Sequence, residues 1–235
     1  MRTVRTIAAV VIAASVLVVA GCMPLVASGP MTSEEREIDA VAKVVLDTSG
    51  DLSIKEGEPR LVIRASESAL ERLTSEVSGD TLVLGTTPGP VISLGDVSYE
   101  LTLPDLESIE VNGSGDIDSA VSAEGTIRLD IDGSGDLQWS GLDAERVEIR
   151  VAGSGEVEMS GRTAELAIEL DGSGSIDVEA LKAQDAVVSI SGSGDIDVSA
   201  SDSLAAEISG SGRITYSGDP TVDADISGSG EVVSG

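Results

Sequence analysis

From Ile109 onward, apolar and polar residues alternate with period two, in paired short runs that meet at the tripeptide Gly-Ser-Gly. The tripeptide starts at Gly113, Gly133, Gly153, Gly172, Gly192, Gly210 and Gly228, in steps of 20, 20, 19, 20, 18 and 18 residues. Two residues before each start stand Val111, Ile131, Val151, Leu170, Ile190, Ile208 and Ile226. Four residues after it stand Ile117, Leu137, Val157, Ile176, Ile196, Ile214 and Val232. A period of two is the strand signature, because successive side chains point to opposite faces. A constant repeat of about 20 residues is what a chain shows when it winds in coils that bury their apolar side only by stacking on one another. The pattern therefore predicts an all-β solenoid of about 20-residue coils.

The parity runs through the tripeptide itself. Its two glycines (Gly113 and Gly115, Gly133 and Gly135, Gly153 and Gly155, Gly172 and Gly174, Gly192 and Gly194, Gly210 and Gly212, Gly228 and Gly230) fall on inward positions. The serines Ser114, Ser134, Ser154, Ser173, Ser193, Ser211 and Ser229 fall outward. Glycine inside a strand marks a bend, or a place where another backbone comes too close for a side chain, so each tripeptide is expected at a corner or pinch of its coil. The serine row is expected as an exterior hydroxyl ladder that hydrogen-bonds between coils. Two other architectures compete. Asn112-Gly113, Asp132-Gly133 and Asp171-Gly172 are hairpin signals that would suit an antiparallel meander or sandwich, but only three of the seven repeats carry them. Disorder would suit the 27 glycines, but not the aliphatic columns.

Upstream, Val44, Leu46, Ser49-Gly50-Asp51, Leu52 and Ile54 fit the same template with Thr48 in place of the first glycine, which predicts a degenerate first coil. Leu61–Ile63 reads as a strand. Glu67–Glu76 carries the helical spacing Leu70, Leu73 and predicts a short helix covering the first coil. Strands follow at Thr81–Leu84, Val97–Leu103 and Ser108–Val111. The ordered region is expected to open near Glu37, after a Pro- and Gly-containing tether over 22–36.

The first 21 residues have a basic start, an apolar run from Ile7 to Ala20 and small residues before Cys22, which together read as a secretory signal. Val19-Ala20-Gly21-Cys22 resembles the bacterial lipobox. That resemblance implies cleavage before Cys22 and acylation of its sulfur and amino group, placing the protein on the cell envelope, facing the periplasm or the exterior. An ordinary signal peptide with an incidental cysteine is the alternative. Cys22 is the one cysteine of the 235 residues, so no disulfide framework exists. The formal charge is −28, and removing residues 1–21 would take away Arg2 and Arg5 and no acid. Such a surface repels nucleic acid and attracts cations. Aromatics are 1% of the chain and histidine is absent, which leaves few stacking platforms for sugars or bases.

The run from Leu103 to Ile117, Leu-Pro-Asp-Leu-Glu-Ser-Ile-Glu-Val-Asn-Gly-Ser-Gly-Asp-Ile, resembles the putative auto-transporter adhesin, head GIN domain family. So does the earlier order of Thr48-Ser49-Gly50-Asp51-Leu52-Ser53-Ile54, Leu61-Val62-Ile63, the short helix and Gly79-Asp80-Thr81-Leu82-Val83-Leu84. The resemblance covers 37–235 and implies a right-handed parallel β-helix on the cell envelope with an adhesin role. It brings no catalytic residues.

The chemical candidates lie on the outer face. Asp116, Asp136 and Glu156 should form one row beside Asp118, Gln138 and Glu158. Neighbouring carboxylates either splay into water or share a hard cation, so Asp116, Asp118, Asp136, Glu156 and Glu158 are the candidate calcium ligands. No other cofactor is indicated. Arg128, Arg146, Arg150 and Arg162 read as partners of nearby acids, and Trp139 and Tyr216 as inward core residues. A polysaccharide-active enzyme is the least favoured class, since no position breaks the repeat to single out an acid, base or electrophile. The expected function is non-catalytic: an envelope adhesin or binding protein, with a calcium-binding surface module as the alternative. The coil after the seventh tripeptide carries no polar cap, which makes it the expected surface for self-association.

Overall fold

The computed structural model describes residues 29–89 and 93–235. The signal-like segment and Cys22 lie outside the described residues. The structure is 70% strand and 2% helix, and the coils of a β-solenoid lie about 20 residues apart. The first elements are β1 (Met31–Arg36), β2 (Lys43–Leu46), β3 (Asp51–Glu56), β4 (Arg60–Ser66), helix α1 (Glu67–Leu70), β5 (Leu73–Ser78), β6 (Thr81–Thr86) and β7 (Ser98–Leu103). The repeats then supply β8 (Ser108–Val111), β9 (Ile117–Ser119), β10 (Thr126–Gly133), β11 (Leu137–Gly153), β12 (Glu156–Gly172), β13 (Ser175–Gly192), β14 (Asp195–Gly210), β15 (Arg213–Ser217), β16 (Thr221–Gly228) and β17 (Glu231–Ser234).

From β8 onward each coil pairs in parallel with the next, in the register set by the tripeptide: Gly133 opposes Gly153, which opposes Gly172, then Gly192, Gly210 and Gly228. The aliphatic columns stack inside. Val111, Ile131, Val151, Leu170, Ile190 and Ile208 are each no more than 1% exposed. Trp139 lies fully buried in the same core, its Nε1–H donating to the carbonyl of Val121 at 3.0 Å. Tyr216 is partly buried against that core.

The glycines are there because of contact between backbones. A Cβ added to Gly153 would stand 2.0 Å from the carbonyl oxygen of Gly133, and one on Gly172 would stand 2.2 Å from that of Gly153. The first glycine of these coils also has φ of +139° and +141°, which disfavours any L side chain. Through this gap the outward serine reaches down with its backbone: Ser154 N–H donates to Gly133 O at 3.1 Å, Ser173 to Gly153 at 3.0 Å and Ser193 to Gly172 at 2.9 Å. The bonds between coils in the serine row are thus made by amides, which corrects the expectation of a hydroxyl ladder. Variation in coil length is absorbed elsewhere, in register shifts between Trp139 and Leu142, Glu158 and Gly161, and Val178 and Lys182.

The N-terminal part follows the expected strands in a different spatial order. The degenerate coil β2–β3 stacks on β8–β9 in the anticipated register, with Val44 opposite Ile109 and Leu52 opposite Ile117. Its other side is occupied by the later strands β6 and β7. The chain therefore leaves the first coil through β4, α1 and β5, builds another layer beyond it, and crosses back to β8. Strands β4 and β5 run antiparallel to β7 and β6.

The helix is shorter than its sequence spacing suggests. Ser66 caps it by accepting from Ala69 N–H at 3.3 Å, and Ala69 and Leu70 reach the core, but Leu73 begins a strand. Thr74 and Val77 are β-branched and suit the strand, whose pairing with β6 takes the backbone bonds a second helical turn would have used. Order also begins before Glu37. Met31–Arg36 of the expected tether pairs antiparallel with β4, although its side chains are almost all exposed. Backbone pairing and the bidentate Arg60–Glu35 contact, 2.9 Å in each arm, hold this strand without an apolar stripe.

The pinch should be sensitive to a single methyl group. Gly153→Ala combines the 2.0 Å backbone clash with an unfavourable φ and is expected to destabilise by about 3 kcal/mol or more. Gly125→Ala, at φ +75° with nothing within 4 Å, should cost only the local strain of about 1–2 kcal/mol. Urea unfolding of both variants measures the difference.

Candidate functional site

The anionic row predicted from the repeat exists, but its first carboxylates have structural work. Asp116 N–H donates to Asp51 Oδ1 at 3.3 Å, Asp136 N–H to Asp116 Oδ1 at 3.2 Å, and Glu156 N–H to Asp136 Oδ1 at 2.9 Å. In later coils the equivalent amides of Ser175, Asp195, Arg213 and Glu231 bond instead to carbonyls of Gly155, Gly174, Gly194 and Gly212. Aspartate has the reach to replace a glycine carbonyl as acceptor for the coil above. Asp51 belongs to this ladder. Its place in the degenerate first coil hid that role in the sequence, although Ser49-Gly50-Asp51 already matched the template.

Beside this row, Gln138 donates through Nε2 to Glu158 Oε2 at 2.8 Å, while Asp118 stays exposed. Among the described residues no group of three or more Cys, Asp or Glu comes close enough to hold a metal ion. Asp116, Asp118, Asp136, Glu156 and Glu158 thus share a shallow groove of about 570 Å³ with Tyr99 and Glu100, and do not converge on a point.

The outer face of the upstream strands has a different chemistry, and it gathers three of the four arginines the repeat singled out. Arg128 donates to Glu148, Arg146 bridges Glu148 and Glu165, and Arg150 pairs with Glu169, each across neighbouring coils or along one strand. Arg162 pairs with Asp143 at another corner of the coil. Glu148 accepts from Arg146, and with Arg128 also beside it, its carboxyl is held below the ordinary carboxylate range. Partial desolvation pushes Asp130 upward; Glu110 and Glu169 act in the same direction, and Arg150 opposes them. Exposed ion pairs of this sort contribute little stability each and serve mainly to favour one register.

Beyond these ion pairs the outward column turns apolar. Register places Ala167, Val187 and Ala205 on adjacent coils. Val187 is 59% exposed. It borders a depression of about 420 Å³ that also includes Arg150, Ala167, Glu169 and Ser189. The inward aliphatic columns that define the coil do not mark Val187. The signal was present: five residues before a tripeptide, an outward position, stands an aliphatic residue where other coils carry Arg128, Glu148 or Asp223.

The aspartate ladder can be tested against its exposed neighbour. Asp136→Ala removes the acceptor of Glu156 N–H and should cost about 1 kcal/mol, while Asp118→Ala should stay within about 0.5 kcal/mol of the parent chain. Chemical denaturation of the two variants provides the comparison.

No helix among the described residues is long and apolar enough to cross a membrane. No curated protein matches the chain. Among solved structures, a putative adhesin from Bacteroides fragilis NCTC 9343 superposes with a TM-score of 0.84 at 22% identity, covering 89% of this chain and 99% of that one. A putative lipid binding protein from Parabacteroides distasonis ATCC 8503 gives 0.74 at 22% identity, covering 91% and 100%. A putative adhesin from Parabacteroides merdae ATCC 43184 gives 0.67 at 19% identity, covering 90% and 98%. At these identities the likeness is one of fold. The family model described as putative auto-transporter adhesin, head GIN domain, matches residues 41–220, which contain the first coil, the N-terminal layer and nearly all the Gly-Ser-Gly turns, and the chain belongs to that family.

Proposed function

We propose that this protein is a lipid-anchored, non-catalytic binding module of the cell envelope, and that it meets its partner through the outer face around Val187. The observation that carries the reading is the exposure of Val187 between Ala167 and Ala205, beside the ion pairs that Arg128, Arg146 and Arg150 make with Glu148, Glu165 and Glu169 on the preceding coils. Interaction sites on soluble surfaces take this form, with an apolar anchor that loses its water on contact and a charged rim that sets orientation. The rigid stacking of the coils supports the same role, because a face that does not rearrange loses little entropy on binding.

The anchor rests on the lipobox-like sequence ending at Cys22. Acylation there would hold the module at the membrane, and the proline-containing segment after it would set its distance from the bilayer. The adhesin names of its structural neighbours agree with an envelope binding role.

One experiment with paired variants tests both parts. Cells expressing the full chain should retain it in the membrane fraction, and Cys22→Ser should release it. Intact cells applied to an array of glycans and envelope or host proteins should bind at least one component, and Val187→Glu should weaken that binding by about tenfold. Unchanged membrane retention of the Cys22 variant would overturn the anchor. Unchanged array binding by the Val187 variant would overturn the face.

A further inference from the structure

The depression of about 420 Å³ beside Val187 has one charge left over. Its lining carries Asp130, Glu148 and Glu169 together with Arg128 and Arg150. Arg128 and Arg146 hold Glu148, and Arg150 holds Glu169. Among the described residues neither a hydrogen bond nor a salt bridge engages the carboxylate of Asp130. Desolvation pushes that carboxyl up, Arg150 pulls against it, and Glu110, Glu169 and Asp132 add to the push. The negative charge at Asp130 is therefore under-compensated where it stands.

The other part of the lining is apolar. Register runs the outward column from Arg128 through Glu148 and Ala167 to Val187, so a methyl group lies between longer side chains and makes the dip. The column of Asp130 runs beside it, through Arg150 and Glu169 to Ser189, two residues beyond Val187 on β13. Parallel neighbours lie about 4.8 Å apart and alternate residues of a strand about 6.7 Å apart. Three coils and one such step separate Asp130 from Val187 by about 16 Å.

We infer that this depression receives a basic segment of a partner protein, lying across the coils, with an aliphatic side chain on Ala167 and Val187 and a lysine or arginine at Asp130. The inference rests on the reading of the Val187 face as a binding surface and names the class of partner it takes. The occupant follows from what the lining leaves unmatched. A phosphate- or sulfate-bearing polymer would bring like charge to Asp130, with Glu110 and Asp132 close by. Among the described residues no aromatic ring lines the depression, so a neutral sugar finds no stacking platform. A basic segment supplies the one missing charge and covers the exposed valine. In an extended segment, residues four apart point to the same side and stand about 14 Å from each other, and the stem of a lysine covers the remaining distance. The formal charge of −28 steers such a partner toward the chain at long range, while the depression decides where it docks.

Defined peptides test this with the purified full chain. Short immobilised Gly-Ser peptides each hold one Leu and one Lys at a set separation, in either order, and a matching set holds Glu in place of Lys. Binding should peak at a separation of about four residues, fall as salt rises and disappear in the Glu set. Asp130→Asn should weaken the best Lys peptide about tenfold. Asp118→Asn, which removes the same charge from the outer face of the downstream strands, should change it by less than about twofold. Val187→Ser should also weaken it, with no change in charge. Equal binding of the Lys and Glu sets would overturn the inference, as would binding unchanged by Asp130→Asn or by Val187→Ser. Absence of binding by every Lys peptide would overturn it too. If a glycan or protein of the wider array is still lost with Val187→Glu in that case, the face stands and only the basic partner falls.

Discussion

Everything in this solenoid depends on how closely one coil's backbone can approach the next at the tripeptide. A Cβ at Gly153, Gly192 or Gly210 would lie 2.0–2.2 Å from a carbonyl oxygen of the preceding coil. That is inside van der Waals contact by more than an ångström, so glycine is the one residue that fits. The approach lets the serine amide reach the glycine carbonyl below, and this fixes the register of every aliphatic column on both sides. Hydrophobic burial drives the stacking. The pinch determines that coils stack without slipping, since a shift by one residue would turn the columns outward.

The parts of the fold legible in the sequence are those that this constraint repeats. Seven tripeptides with aliphatic residues at fixed offsets define coil length, the inward and outward faces, and even the degenerate first coil around Thr48 and Gly50. The illegible parts obey no repeat. Strand β1 buries almost nothing, so no hydrophobic pattern reveals it. The order in which β6–β7 and β8–β9 flank β2–β3 is a matter of non-local pairing, and each strand would look the same in sequence in either place. Leu70 and Leu73 suit a helix by spacing, but only the neighbouring β6 decides that the second of them starts a strand.

The surface chemistry was legible in kind and less so in role. The outward acids stand in the row their parity indicates, yet Asp51, Asp116 and Asp136 turn back to hold the amides of the next coil. A short carboxylate near a free N–H is satisfied locally, which a sequence pattern of acids does not distinguish from an array open to a cation. The arginines pair with acids on neighbouring coils, as their positions suggested. The inward columns carry no sign of the exposed aliphatic residue at an outward position, Val187. In a repeat protein such departures are informative, because the fold itself gives no reason for them.

The most direct measurement of the central claim is amide hydrogen exchange of the serines in the repeat. These residues sit outward, and in an ordinary loop their amides would exchange in seconds or faster. If the pinch holds the coils in register, Ser154, Ser173 and Ser193, which donate to Gly133, Gly153 and Gly172 at 2.9–3.1 Å, will be protected as strongly as the amides of the core strands. Exchange of these three amides near the unprotected rate, with the core strands still protected, would contradict the account.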